Sequence, residues 1–292
     1  MSFADLKAKA NDMSALVGAA ESATSKQSYG DDRMWKPTVD KAGNGYAVIR
    51  FLPTVEGDDL PWAKFWDHFF QGPTGQWYVE KSLTTIGKDD PVSEMNSKLW
   101  NTGIEANKEI ARKQKRRLHY VSNVYVVSDP KNPDNEGKVF KYRFGKKIFE
   151  ALKEAISPAF EDEKAINPFD LREEGANFKI KIRKVDGYWN YDASSFEAVS
   201  PLSDDDAVLE DIYKKQYSLQ EFLAPTNFKS YDELKKRLDD VLSGTVTASA
   251  AAMMDEAVVE TPVMKSEPAP TMPSMASPTE DEDDTMSYFQ KL

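Results

Sequence analysis

Cysteine is absent from the whole chain, and histidine occurs only at His68 and His119. Disulfides and thiolate metal sites are thereby excluded, and a zinc site would need carboxylates, a poor donor set for structural zinc. No stretch approaches the ~18 apolar residues of a membrane-spanning helix, and the opening MSFADLKAKAND has acids but no apolar signal core. A soluble cytosolic protein without a membrane partner is the expectation. Catalytic signatures are missing too. Gly43-Asn44-Gly45 is not followed by the Lys-Ser or Lys-Thr of a phosphate loop, and DPKNPDNEG at 129–137 lacks the spaced acids and closing Glu of a calcium loop. Neither histidine sits in a nucleophile arrangement, so nothing argues for an enzyme.

Positive charge is the minority sign, 38 Lys and Arg against 49 Asp and Glu for a net of -11. Its placement is uneven. Residues 104–153 hold thirteen Lys or Arg against six Asp or Glu, a local net of +7, while residues 253–292 hold nine acids and two bases. The basic region, KQKRRLHYVSNVYVVSDPKNPDNEGKVFKYRFGKK, alternates cations with aromatic strand residues. Cations that neutralise phosphates beside rings that stack on any base suit single-stranded nucleic acid. A solvated surface whose Tyr and Phe pack inward would leave the same pattern.

An amphipathic helix is expected over 2–17, followed by a small polar linker. Strands are expected at KAGNGYAVIRFLP, WAKFWDHFF, QWYVEKS, HYVSNVYVV, KVFKYRF and GANFKIKIRKV. A helical or irregular stretch covers 95–117, GKKIFEALKEAI reads as a helix stopping near Pro158, and DDDAVLEDIYKKQYSLQEFL and SYDELKKRLDDVL read as two more. Asp204, Asp205 and Asp206 suit a helix N-terminus, and Ser230 with Glu233 forms a capping box. The turn DGYWNY gathers Tyr188, Trp189 and Tyr191, too many rings to bury together. The expected fold is α+β, mainly β, with a five-stranded Greek-key barrel of the OB type, appended helices and a disordered acidic tail. The expected divisions are 1–25, a self-association segment, 26–252, the core, and 253–292, a partner-binding tail ending in Tyr288, Phe289 and Leu292.

Four runs, KAGNGYAVIRFLP, DPKNPDNEGKVFKYRFGKKIF, GANFKIKIRKVDGYWNYD and YDELKKRLDDVLSGT, resemble in order the single-stranded DNA-binding, helix-destabilising proteins of T-even-type bacteriophages. The resemblance covers roughly 35–245 and implies a non-catalytic protein that coats single-stranded DNA in the host cytoplasm. It implies cleft aromatics at Tyr120, Tyr142, Tyr188 and Tyr191, Trp100 where the family has a tyrosine, and cations at Arg50, Lys115, Arg116, Arg117, Lys146 and Lys147. It further implies self-association through the N-terminal segment, here reduced to Lys7 and Lys9, and a tail that recruits phage replication and recombination proteins. The family's zinc, held by one His and three Cys, would keep only His68, with Lys81, Asp90 and Ser93 standing about where thiolates belong. No zinc or other cofactor is therefore expected. Alternatives are an RNA-binding translational regulator, a scaffold built around the tail, and a metal-dependent nuclease using Asp129, Asp134 and Glu136.

Overall fold

β5, Arg117–Ser128, is the longest strand, and the rest of the sheet is arranged on its two edges. The structure, a computed structural model, describes residues 31–160, 162–185 and 187–243. The expected helix over 2–17 and the tail, with Lys7, Lys9, Tyr288, Phe289 and Leu292, lie outside the described residues.

One edge of β5 takes β6 (Val139–Phe144), with Tyr120 opposite Phe144 and Tyr125 opposite Val139. The other edge is shared. β2 (Gly45–Phe51) holds the C-terminal half, Phe51 opposite Val124, and β3 (Ala63–Gln71) the N-terminal half, Ala63 opposite Val121. β4 (Trp77–Lys81) forms a hairpin with β3, and β7 (Phe178–Val185) lies antiparallel to β2. β1 (Met34–Trp35) runs parallel to β6, while β8 (Tyr188–Asn190) and β9 (Ser195–Phe196) flank β7. The hydrogen-bonded order β1-β6-β5-β2-β7-β8, with β3, β4 and β9 as branches, does not return on itself. The structure is thus α+β with one large sheet, and these pairings do not close it into the expected barrel.

Side chains alternate across a strand, so residues of one parity share a face. One face of β2, β5, β6 and β7 carries Ile49, Phe51, Val124, Val126, Tyr142, Phe144, Phe178 and Ile180, which form the main core. Helix α3 (Lys146–Ile156) lays Ile148 and Leu152, one turn apart, onto this core. The helices α1 (Pro91–Asn101), α2 (Glu105–Lys113) and α5 (Tyr231–Ser243) join the β3–β4 hairpin in a side lobe. Phe70, Tyr78, Val92, Leu238 and Val241 are its core. The capping box at the start of α5 is present: Ser230 N–H donates to Glu233 Oε2 at 2.8 Å, and Glu233 N–H to Ser230 Oγ at 3.4 Å.

α4 (Asp206–Lys214) is capped by Asp205, whose carboxylate accepts from Ala207 N–H at 2.8 Å. It ends well short of the Leu223 that helical spacing implies. Leu219, Phe222 and Leu223 leave helical geometry to lie on Ala63, Phe65 and Val121, where burial outweighs helix continuation. This strap also holds Lys141, fully buried on the sheet face opposite the main core, whose ammonium pairs with Glu221 and, at 2.7 Å, with Asp31.

Candidate nucleic-acid interface

The face carrying Tyr120 runs toward the N-terminal end of β5 through Leu118, which pairs with Trp66 of β3, while Lys64 pairs with Tyr120 itself. α3 begins beside this face. Its Phe149 stacks on Tyr120 with ring centres 3.9 Å apart and planes 5° from parallel, and meets Trp62 edge-on at 5.5 Å. Lys146 and Lys147, exposed in the first turn of α3, reach Glu150 at 3.7 Å and Asp192 at 3.8 Å. Asp192 follows Tyr191, just past the β7–β8 hairpin, where Lys184 shares the core-side face with Trp189 while the exposed Lys181 and Arg183 point to the other face. Tyr188, at 79% exposure, is the most open large ring among the described residues. Trp189 is held against the turn before β2. Gly43 there has φ +85°, and a Cβ on it would lie 2.8 Å from Lys184 Cβ and 3.1 Å from Trp189 Cζ3.

Three expected contact residues belong instead to the interior. Arg50 has no accessible surface: its Nε donates to Asn177 Oδ1 at 3.1 Å, Nη1 to the Asp170 carbonyl at 3.1 Å and Nη2 to the Ser200 carbonyl at 2.8 Å. Burial pulls its pKa down, against the opposing charges of Asp170 and Glu197. Tyr142 is 3% exposed and meets Trp35 edge-on at 5.2 Å. Burial, with Tyr191 adding to it, pushes its phenol well above the usual range. Tyr120 is 5% exposed because Phe149 and Phe144 stack on it, and burial followed by the Glu150 charge raises its phenol. These tyrosines shape the wall behind the surface and do not offer an open ring.

The basic triplet divides. Arg116 places its guanidinium 4.9 Å from the Trp66 ring centre, on the Tyr120 face. Arg117, opposite Asp67 in the sheet, turns the other way: its guanidinium is 4.2 Å from the Phe69 ring centre and donates to the Phe69 carbonyl at 3.0 Å. Burial lowers its pKa, Asp67 raises it and Arg143 lowers it again, all on that opposite side. Strand alternation thus sets Arg116 and Arg117 on opposite faces of the sheet. Lys115 is half-buried between α2 and β5. Trp100 of α1 stands beneath Lys108 and Arg112 of α2, at 5.6 and 5.4 Å, with Arg112 also held by Glu105 at 2.7 Å. Tyr191 is half-buried, its phenol raised by burial. Lys64, Trp66, Trp62 and Phe149 join the surface without having been singled out in the sequence. β3 is aromatic at both parities, so periodicity does not separate Trp66 from Phe65.

Two of the three carboxylates of the nuclease alternative, Asp129 and Glu136, are occupied in folding, while Asp134 is exposed. Asp129 is buried, accepting from Trp35 Nε1–H at 3.0 Å and Asn135 Nδ2–H at 3.0 Å, and Glu136 Oε1 accepts from Asp129 N–H at 2.7 Å.

His68, Ser82, Asp90 and Ser93 come together, fully or nearly fully buried, in the side lobe. The position expected at Lys81 is taken by Ser82, while Lys81 turns to the other face and lies over Phe222 and Phe228. Asp90 Oδ1 accepts from Ser93 N–H and His68 Nε2–H at 2.9 Å each, and Oδ2 from Ser82 Oγ–H at 3.0 Å and Leu83 N–H at 3.1 Å. His68 Nδ1 faces the Gln114 carbonyl at 3.4 Å. Burial would raise the Asp90 carboxyl, but the His68 bond and charge and the two backbone bonds hold it down at about 2. These residues do not fit a zinc ion. The imidazole and carboxylate are consumed by one another, and two neutral hydroxyl groups stand in for thiolates.

The family described as gp32 DNA binding protein like matches residues 43–242. A single-stranded DNA-binding protein of Enterobacteria phage T4 is 40% identical over 230 residues, covering 76% of this chain and 74% of the relative. That of Enterobacteria phage T2 is 40% identical over the same length and the same shares. A single-stranded DNA-binding protein of Escherichia phage SV14 is 43% identical over 76 residues, 25% of this chain and 66% of the relative. The matched span contains every strand of the large sheet but β1, with α3, the β7–β8 hairpin and the side lobe to within a residue, and the chain belongs to the gp32-like DNA-binding protein family.

Proposed function

We propose that this protein is a non-catalytic, sequence-tolerant single-stranded DNA-binding protein of a bacteriophage. In this reading it coats and protects single strands in the host cytoplasm and recruits replication, recombination and repair proteins. The observation that carries it is the gathering of rings and cations in an otherwise acidic chain, Trp66 with Lys64 and Arg116 on the Tyr120 face, Lys146 and Lys147 on α3, and the open Tyr188 ring at the β7–β8 hairpin. The names of the relatives support the same ligand. β2, β5, β6 and β7 around one core, with β3 paired to β5 beside them, read as an opened OB barrel with the strand laid across it. Cations hold the backbone and open rings take bases, so unpaired DNA binds and paired DNA does not, which pulls duplexes open by mass action.

The test is fluorescence titration with poly(dT), poly(U) and duplex DNA at two salt concentrations. Strong quenching by poly(dT), a weak duplex response and a steep salt slope are expected. Binding to poly(U) alone would favour the RNA regulator, and no binding to any polymer the tail-based scaffold. Tyr188→Ala should weaken poly(dT) binding by about 1–3 kcal/mol with no loss of thermal stability, because the removed ring touches solvent. Equal affinity in that variant would remove Tyr188 from the interface.

The tail and the N-terminal segment complete the reading. Residues 253–292 compete for the basic face when DNA is absent, and DNA frees Tyr288, Phe289 and Leu292 for partners. Deleting 253–292 should tighten poly(dT) binding at low salt and less so at high salt, as filter binding would measure. Lys7 and Lys9 serve contact between copies along the strand. The side lobe works without zinc.

A further inference from the structure

We propose that Trp66, with Lys64 and Arg116, forms an additional nucleotide subsite at the side-lobe end of the strand track, stacking one base and holding its phosphate. The inference rests on the single-strand reading above and adds Trp66 and Lys64, which the family resemblance does not imply. Trp66 is a half-buried ring on β3 with two cations over it, Lys64 Nζ at 4.8 Å and the Arg116 guanidinium at 4.9 Å from the ring centre. It lies on the Tyr120 face, because Lys64 pairs with Tyr120 and Trp66 with Leu118.

Two residues along a strand separate Trp66 from the Tyr120 level by about 7 Å, comparable to one step of an extended nucleotide chain. Where Tyr120 is covered by Phe149, no ring covers Trp66 among the described residues. The adjacent strand carboxylate, Asp67, belongs to the opposite face with Arg117, so no acid of β3 repels a phosphate here. A guanidinium lying over an indole also offers its own plane for a base to stack on, and the Lys64 ammonium supplies a mobile phosphate partner. The backbone of Trp66 is fixed by Thr85, whose Oγ1 accepts from Trp66 N–H at 2.9 Å, so the ring stands on a braced strand.

The experiment uses the full chain and labelled oligothymidylates of about 4 to 16 nucleotides, with anisotropy as the readout. Trp66→Leu, which keeps an apolar cover on β3, should bind the longest oligomers about tenfold more weakly and the shortest as the parent does. Lys64→Gln should lower the salt slope for long oligomers by about 0.7 while retaining the length dependence. Circular dichroism and melting establish that both variants are folded. Unchanged affinity of folded Trp66→Leu at every length overturns the subsite. An equal loss at every length also overturns it, since the ring would then shape the cleft as a whole. If the parent protein binds no oligomer, the single-strand reading itself fails, a result distinct from either.

Discussion

Asp90→Ala should cost about 3–5 kcal/mol of stability, seen as a fall of roughly 10 °C in the melting temperature. Asp90 is buried and its two oxygens accept four hydrogen bonds, so truncation takes an acceptor from His68, Ser82 and two backbone N–H groups at once. The loss falls where the short 3₁₀ turn Leu83–Ile86 meets α1, against the Val92 and Tyr78 core. Asp90→Ser separates two contributions. A serine at this N-cap still accepts from Ser93 N–H, restoring about 1 kcal/mol, but leaves His68 without its partner. A metal chelator should leave the melting temperature of the parent protein unchanged. A chelator-induced fall, reversed by zinc, would mean that the lobe is stapled by an ion and that hydrogen bonding does not suffice.

The elements were legible where residue chemistry has one reading. Alternation in FKIKIRKV marks β7, and glycine turns mark both hairpins. The Ser230–Glu233 box marks the start of α5. The faces were harder to read. β2 is buried on both sides, so Arg50 stands in a run of apolar neighbours with no period to say which side it takes. A cation in a basic protein face and a cation braced inside a core look alike in one dimension. What decides is the distant arrival of Asp170, Asn177 and Ser200 around it. The same limit hides Tyr142, which reads as an open ring until Trp35, more than a hundred residues earlier, closes on it. Arg116 and Arg117 were separable in principle, since adjacent strand residues face opposite ways, but only once the strand start at Arg117 is known. Site chemistry was therefore visible as composition, and site membership was set by register.

Arg50→Met should destabilise the protein by about 3–5 kcal/mol while leaving the single-strand affinity of the folded protein within about twofold of the parent. Methionine fills much of the same volume but donates nothing, so the Asp170 and Ser200 carbonyls and the Asn177 amide oxygen lose their donor at a partly buried site. Asn177 is itself held by Glu197 through a 3.0 Å bond, and Glu197 by Lys179 at 2.9 Å, so the disturbance spreads to the strand that carries the β7–β8 hairpin. The loop around it has no slack. A Cβ on Gly175 would come within 1.9 Å of the Asp170 carbonyl and 2.4 Å of Arg50 Nη1, so the chain approaches the guanidinium as closely as glycine allows. The decisive comparison is between stability and salt dependence. A buried brace changes the melting temperature and not the slope of affinity against salt. A phosphate contact would do the reverse, lowering the slope by about 0.7 with little effect on melting. A stable Arg50→Met variant with a shallower slope would return Arg50 to the surface and require the 167–177 loop to open in the presence of DNA.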